Sequence, residues 1–378
     1  MALRAFPRAA VVASSVLGRR SIRFVPLGLL ALGSFLFALP ARAQQAGYDP
    51  ERGAFLRSSD GGFAFHPYAM VQLQHTAPFG DTATREGFAV RSAKWVMRAY
   101  DRSRDLTFHY QLNVGDGRAV AEDVFVRWEP TAWLSLTAGQ IEVPFNRQHV
   151  TPQAYQQLID RSTVDARFGL QRDQGLSLRL RFGAVDLTLG AWNGARKNVA
   201  DDDPTLLETA RLAWSPFGAI PFEESDVANS PRPLLSLAAA AAWNPRRSLA
   251  PDPDRPQTLT EQRRIGQAVL EVTLRYAGLS LTTEVHARRF ESGTGTAVDY
   301  GELLQAGWFL LPKRLEVAGR LARSTGAVGP SEPVQEATAG LNLFLHGRRL
   351  EVSSTWTTTT LRRGTREQRV RSQLEVFF

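Results

Sequence analysis

An alternation of apolar and polar residues, repeated along most of the chain, constrains its fold more than any other feature. The stretches 106–114, 176–182, 270–276 and 370–378 show it most clearly. Neighbouring residues of a β-strand point to opposite faces, so each stretch predicts a strand with one apolar and one polar face. No stretch after residue 43 stays apolar over the roughly 20 residues that a membrane-spanning helix needs. The pattern therefore predicts an all-β fold.

About sixteen segments of this kind can be counted between residue 62 and residue 378. Their predicted spans are 63–76, 87–101, 105–115, 121–130, 132–142, 175–183, 185–194, 205–215, 233–244, 262–277, 279–291, 300–311, 314–325, 335–346, 349–361 and 367–378.

The connections between these predicted strands alternate between short and long. Those at 182–184 and 276–278 are short, whereas those at 144–174 and 245–261 are long. A membrane β-barrel has short turns at its periplasmic end and longer loops at its outer end. The sequence therefore predicts a transmembrane antiparallel β-barrel of about 16 strands. The connection 215–233 departs from the pattern, because it is long where a short turn is due.

A soluble β-sandwich is the alternative fold, since its strands also alternate between a buried and a solvated face. The alternation of short and long connections favours the barrel. So does the last strand, which ends in Phe377 and Phe378. A terminal strand of this kind resembles the signal by which barrels are handed to the assembly machinery of the outer membrane. We therefore expect Phe378 to act as an assembly signal.

Residues 1–43 have the composition of a secretory signal. A basic segment without acidic residues precedes an apolar run at 25–39, and Ala41-Arg42-Ala43 follows as a cleavage site. A membrane anchor is the alternative, but the run is shorter than a spanning helix. We expect a cleaved signal peptide at 1–43, a lead-in segment at 44–61 and a barrel at 62–378. This organisation predicts a location in the outer membrane of a Gram-negative bacterium.

Charge and cysteine content exclude several classes of function. The whole chain has a net charge of +8, but six basic residues and no acidic residues lie within 1–43. The remainder is close to neutral, which gives no reason to expect a nucleic-acid partner. The chain has no cysteine, so it contains neither disulfides nor cysteine-based metal sites. We expect no cofactor and no metal.

Five short segments within 87–194 carry a resemblance to a known family. They are Val90–Lys94, Gly139–Phe145, Ile159–Arg161, Arg172–Gly175 and Gly190–Asn193. In this order and spacing they resemble the phosphate-selective porins of the O and P type, although Ser92 stands where a second arginine is usual. The resemblance implies a barrel of 16 strands, a homotrimer, and a third long loop that folds into the lumen as a constriction loop. Small anions such as phosphate are then the expected solutes.

The longest connection, 144–174, is the candidate functional centre. Cations around a narrow pore concentrate anions, but each arginine could instead brace the wall by pairing with an acidic residue. Arg179 and Arg181 lie on the strand that follows the loop, and we expect them near the narrowest part of the lumen. The candidate pore-lining and anion-attracting residues are Arg147, Arg161, Arg167, Arg172, Arg179, Arg181, Arg127, Lys94 and Arg98. Further cations expected on inward faces are Arg275, Arg288, Arg320, Arg369 and Arg371.

Three classes of function fit these observations unequally. The hypothesis favoured by the sequence is an outer-membrane porin for passive diffusion of small hydrophilic solutes, with a preference for anions. A general, non-selective porin is the alternative within the same class. A barrel enzyme is not expected, because the chain has neither a G-x-S-x-G nor an H-E-x-x-H motif. A soluble secreted binding protein is the third class.

Overall fold

The computed structural model describes residues 45–49, 53–79, 85–101, 105–199, 205–247, 263–292, 295–325, 333–361 and 365–378. The predicted signal peptide at 1–43 lies outside them. Sixteen long strands form a closed antiparallel barrel, in which each strand pairs with the next and the last pairs with the first. The predicted barrel of 16 strands is thereby confirmed.

A short hairpin precedes the barrel. It consists of β1 (Gln45–Asp49) and β2 (Gly53–Arg57), and β2 pairs with the first barrel strand only at Leu56 and Arg57. The barrel strands are β3 (Phe63–Phe79), β4 (Gly87–Asp101), β5 (Leu106–Asn113), β6 (Val120–Thr131), β7 (Leu134–Glu142), β8 (Arg172–Phe182), β9 (Val185–Trp192), β10 (Leu207–Trp214), β11 (Leu234–Arg247), β12 (Arg263–Tyr276), β13 (Leu279–Ser292), β14 (Gly295–Leu311), β15 (Leu315–Ser324), β16 (Val334–Phe344), β17 (Leu350–Leu361) and β18 (Arg366–Phe377).

All sixteen predicted strands are present, with ends that differ by a few residues. The largest difference is at β14, which begins at Gly295 rather than at residue 300. The hairpin of β1 and β2 was not predicted, because strands of five residues are too short to show a clear period of two.

The two faces of the barrel wall reverse the arrangement of a soluble protein. Leu270 and Leu321 point outward and are 64% and 61% exposed. The inward neighbours Glu271 and Arg320 are buried inside the barrel. A soluble β-sandwich would bury its apolar face, so the alternative fold is wrong. An apolar outer band around a polar interior is the arrangement of a barrel that meets lipid.

Among the residues that the structure describes, helical structure is confined to short segments. These are α1 (Arg147–Val150), α2 (Thr163–Phe168) and single 3-10 turns at Gly115–Gly117 and Gln153–Tyr155. No helix in the described ranges is long and apolar enough to cross a membrane.

Candidate functional site

The segment 143–171, which we call the constriction loop, folds into the barrel between β7 and β8. Near its start, Val143 and Phe145 are fully buried against Trp192 and Val269. Near its end, Phe168 packs with a second apolar cluster on β14 and β15. Both ends of the loop are therefore held against the inside of the wall. This is the inward fold that the resemblance implied.

Carboxylates of the wall accept hydrogen bonds from backbone N–H groups of the constriction loop. Glu271 accepts from the N–H of Arg147 at 2.8 Å, and Glu284 accepts from the N–H of Gln148 at 2.7 Å. Glu336 accepts from the first N–H of α2 at 2.8 Å. These N–H groups lie at helix starts, where no partner exists within the helix and the helix dipole favours a negative charge. The buried wall carboxylates thus fix both helices of the loop.

Wall donors bind the carbonyl oxygens of the same loop. Arg288, Arg320 and Asn342 donate to loop carbonyls at 2.6, 2.8 and 2.7 Å. The two arginines were predicted to face inward, and they do. They are engaged by the loop rather than by the open lumen, so they act as anchors.

The unexpected long connection at 215–233, which we call the insert, also folds into the lumen. Its Glu224 accepts from the N–H of Gln157 at 2.8 Å, and the Ser225 hydroxyl donates to Glu316 at 2.8 Å. Arg348, on the short turn between β16 and β17, pairs with Glu223 of the insert. The insert is long because it reaches the constriction loop from the side of the short turns and supports it.

His149 of the constriction loop lies between two carboxylates. Its Nε2 is 2.6 Å from Glu142, and its Nδ1 is 3.1 Å from Asp165. Burial lowers the pKa of His149, but the two carboxylates outweigh this effect and raise the pKa to about 9. The imidazole is therefore protonated at neutral pH and holds the two ends of the loop together. Nothing in the sequence indicated this role, since the histidines are scattered along the chain.

The arginines of the constriction loop were predicted to line the pore, and the structure places them differently. Arg147 is buried, donates to the carbonyl of Pro221 and packs over the ring of Phe222. Arg161 donates to two loop carbonyls, each at 2.9 Å, and Arg167 donates to the hydroxyl of a wall serine at 2.9 Å. The prediction for Arg147 is wrong, because the insert covers it.

Two further candidates are neutralised by ion pairs. Lys94 pairs with Glu122 at 2.8 Å, and Arg172 pairs with Asp123 at 2.9 Å and with Glu142 at 2.7 Å. The register between β5 and β6 shifts beside Glu122 and Asp123. Such a bulge breaks the period of two, so both neighbouring carboxylates reach the lumen. For Lys94 and Arg172 the wall-bracing alternative describes the geometry.

Arg179 and Arg181 point inward as predicted, but they do not lie near the constriction loop. Arg179 pairs with Asp186 and Arg181 with Glu129, and both side chains are 41% exposed. The loop rejoins the wall at Arg172, and a strand rises about 3.3 Å per residue, which places Arg179 roughly 20 Å away. The expectation that they line the narrowest part is therefore wrong.

Arg98 and Arg127 are the candidates that carry an uncompensated charge. Arg98 is exposed, donates to His109 at 3.2 Å and lies over the ring of Tyr68. Arg127 donates to a threonine hydroxyl at 3.2 Å and lies over the ring of Phe125. Within the described ranges neither arginine forms an ion pair with a carboxylate.

Three arginines on β4 and β18 converge on one carboxylate of the constriction loop. Asp160 lies 3.1 Å from Arg91 and 3.6 Å from Arg369, and it also pairs with Arg371. Arg91 is the residue that sequence reasoning missed. It is the extra residue of a bulge, since Val90 and Ser92 pair with consecutive residues of β3. A strict period of two would have placed it outside the barrel.

The inner wall thus has two parts. We call the inward faces of β10–β17 the filled side, because the constriction loop and the insert cover them. We call the inward faces of β4–β8 and β18 the open side, because several of their arginines remain in contact with water. Glu284 and Glu316 on the filled side are fully buried, whereas Arg98 on the open side is exposed.

Known proteins resemble this chain in fold but not in sequence. No protein-family model and no curated protein sequence matches the chain. The anion-selective porin from Comamonas acidovorans is 12% identical, with a TM-score of 0.61 over 84% of this chain and 100% of that one. The outer membrane channel DcaP of Acinetobacter baumannii is 10% identical, with a TM-score of 0.60 over 85% and 99%. The trimer form of OmpT from Vibrio cholerae is 6% identical, with a TM-score of 0.60 over 84% and 100%.

These identities are low, so the similarity concerns the fold alone. The chain shares with these proteins the fold of a closed antiparallel β-barrel.

Proposed function

We propose that this protein is an outer-membrane porin that admits small hydrophilic solutes by passive diffusion along the open side of its lumen. One observation carries the proposal. The constriction loop and the insert bury the inward faces of the filled side, while charged inward side chains on the open side remain 41% exposed, as at Arg179 and Arg181. A water-filled path lined by charged residues conducts small hydrophilic solutes.

The charge of the open side supports a preference for anions. Arg98 and Arg127 have no carboxylate partner in the described ranges, and Arg91, Arg369 and Arg371 share the single carboxylate of Asp160. Clefts lined by one sign of charge with low-dielectric walls raise the local concentration of counter-ions. Phosphate, suggested by the resemblance within 87–194, is one candidate solute.

Planar lipid bilayers test the proposal. The folded protein should give discrete conductance steps, and a KCl gradient should give a reversal potential with the sign of chloride selectivity. Swelling of protein-loaded liposomes in uncharged sugars separates an open pore from a charge effect. Conductance with a zero reversal potential would make the protein a general porin. Folded, heat-modifiable protein without conductance would contradict the porin proposal and reopen the hypothesis of a barrel enzyme.

A homotrimeric state and insertion by the barrel assembly machinery are further proposals. A homotrimer in the outer membrane agrees with the resemblance and with the trimer form of Vibrio cholerae OmpT. Insertion by the barrel assembly machinery agrees with the position of Phe378, whose backbone exchanges hydrogen bonds of 2.9 and 3.2 Å with Ala69 of β3. Native mass spectrometry of detergent-extracted protein tests the trimer, and a monomer mass would contradict it. Membrane fractionation with Phe378→Ser tests the assembly signal through barrel yield.

A further inference from the structure

An arginine cluster on the open side is built from neighbouring strands. Arg369 and Arg371 are successive inward residues of β18, which pairs with β3, and β3 pairs with β4, which carries Arg91. Arg371 also donates from Nε to the hydroxyl of Thr76 on β3 at 3.3 Å. The three guanidinium groups therefore belong to the rigid wall rather than to a loop.

Charge within this cluster is unbalanced. Asp160 is its one carboxylate partner in the described ranges, so three positive charges meet one negative charge. Of the two further acidic groups near Arg369, Glu336 is already bound by Arg320 at 2.6 Å, and Glu367 forms no ion pair with Arg369 in the described ranges. Burial raises the pKa of Asp160, but Arg91, Arg371 and Arg369 outweigh this effect and keep the pKa below its usual range. The cluster thus carries two excess positive charges at neutral pH.

The position of Asp160 shows which ligand shape the arginines accept. Its Oδ1 faces Arg91 on β4, and its Oδ2 faces Arg369 and Arg371 on β18. A planar carboxylate therefore bridges the two strands with one oxygen towards each. The Nε atoms of Arg91 and Arg369 are buried and have no hydrogen-bond partner. A single aspartate leaves part of the donor capacity of these guanidinium groups unused.

All members of the cluster can be reached from the lumen. The side chains of Arg91, Arg369 and Arg371 are 29%, 26% and 20% exposed, and that of Asp160 is 16% exposed. The backbone of Asp160 is fixed, since its carbonyl accepts from Arg320 at 2.8 Å. Asp160 is consequently held at the cluster, and a solute anion must share the arginines with it.

We propose that Arg91, Arg369 and Arg371 form a binding site for small carboxylate solutes, and that Asp160 is an internal carboxylate that limits their affinity. The inference rests on the proposed porin function and names the solute class of that path. Conduction requires binding that is strong enough for entry and weak enough for release. An internal competitor that shares the donors meets this requirement, because it weakens solute binding without removing the cations.

Succinate added to a chloride-conducting bilayer tests the site. We expect succinate to reduce chloride current with a saturating dose dependence. The double variant R369Q/R371Q should lose the saturable block. Asp160→Asn should shift the half-blocking concentration down about tenfold, a change between the limits for one unit charge about 4 Å away in water and near a protein surface. Arg289→Gln is the matched control, since Arg289 points outward, is 61% exposed and pairs with Glu291.

Each result decides the proposal. A succinate block that does not saturate, or that survives in R369Q/R371Q, would overturn the site. A saturable block by inorganic phosphate but not by succinate would overturn the solute class. An unchanged half-blocking concentration in Asp160→Asn would overturn the role of the internal carboxylate. Calorimetric titration of succinate into folded protein in detergent reads binding without conductance, so failure of the pore itself is distinguished from failure of the site.

Discussion

The filled side and the open side of the lumen use the same residue types for different purposes. On the filled side, Glu284 is fully buried, and it binds the N–H of Gln148 and the side chains of Asn146 and His286. On the open side, Arg98 keeps its charge in water. The two sides differ in what covers them. The constriction loop and the insert bury the filled side, whereas the open side meets the loop at residues such as Asp160 and keeps exposed arginines. An inward charged residue therefore anchors the loop where it is covered, and under the proposed function it acts on solutes where it is not.

The largest expected effect is the loss of stability when an anchor of the constriction loop on the filled side is removed. Glu284→Ala leaves several buried donors without an acceptor, which should cost about 3 kcal/mol of unfolding free energy. Guanidinium unfolding in detergent, followed by tryptophan fluorescence, measures it. Asp186→Ala, which removes the carboxylate partner of Arg179 on the open side, is the matched control. It removes a partly exposed ion pair, and its cost should stay below about 1 kcal/mol. An equal loss of unfolding free energy in the two variants would contradict the difference between the two sides.

His149 gives the constriction loop a pH dependence. The pKa of His149 is raised to about 9 in the folded protein. Its stabilising effect is therefore complete below the ordinary histidine pKa of about 6.5 and is lost as the pH rises through about 9, by roughly 3 kcal/mol in total. The unfolding free energies of the wild type and of His149→Gln should therefore converge as the pH rises from about 6.5 to above about 9. A constant difference across this range would show that the imidazole is not the group that titrates.

The smallest expected effect compares two arginines on the open side. Arg98→Gln removes an uncompensated charge, whereas Arg179→Gln removes one that is already paired with Asp186. The reversal potential in a KCl gradient should move towards zero for Arg98→Gln and less for Arg179→Gln. Stability should change by less than about 1 kcal/mol in either variant. A larger shift for Arg179→Gln would show that local pairing does not decide which charges the solute meets.

Much of the barrel could be predicted because its strands obey a simple period. Inward and outward residues of β8, β12 and β18 follow from the alternation alone, and so does the number of barrel strands. The predicted direction of a side chain was wrong where a bulge adds a residue, at Arg91 on β4 and at Glu122 on β6. A bulge depends on how two strands pair, and one strand's sequence does not contain that information.

The contents of the lumen were less predictable than its wall. The length of the constriction loop marked it as functional, but its contacts join residues far apart in sequence, such as Arg147 with Glu271 and Gln148 with Glu284. The unusual length of the connection 215–233 was the one sign of the insert. Without knowing that the insert covers Arg147, charge alone placed that arginine in the pore.

Cysteine accessibility tests the division of the lumen most directly, because the chain contains no cysteine of its own. Thr107 on β5 and Thr282 on β13 both point inward, the first half-buried on the open side and the second buried on the filled side. The matched variants Thr107→Cys and Thr282→Cys would be treated with a charged, water-soluble thiosulfonate while the current is recorded. We expect Thr107→Cys to react rapidly and change the conductance, and Thr282→Cys to stay protected in the folded protein. Equal reactivity at the two positions would contradict the division into a filled and an open side.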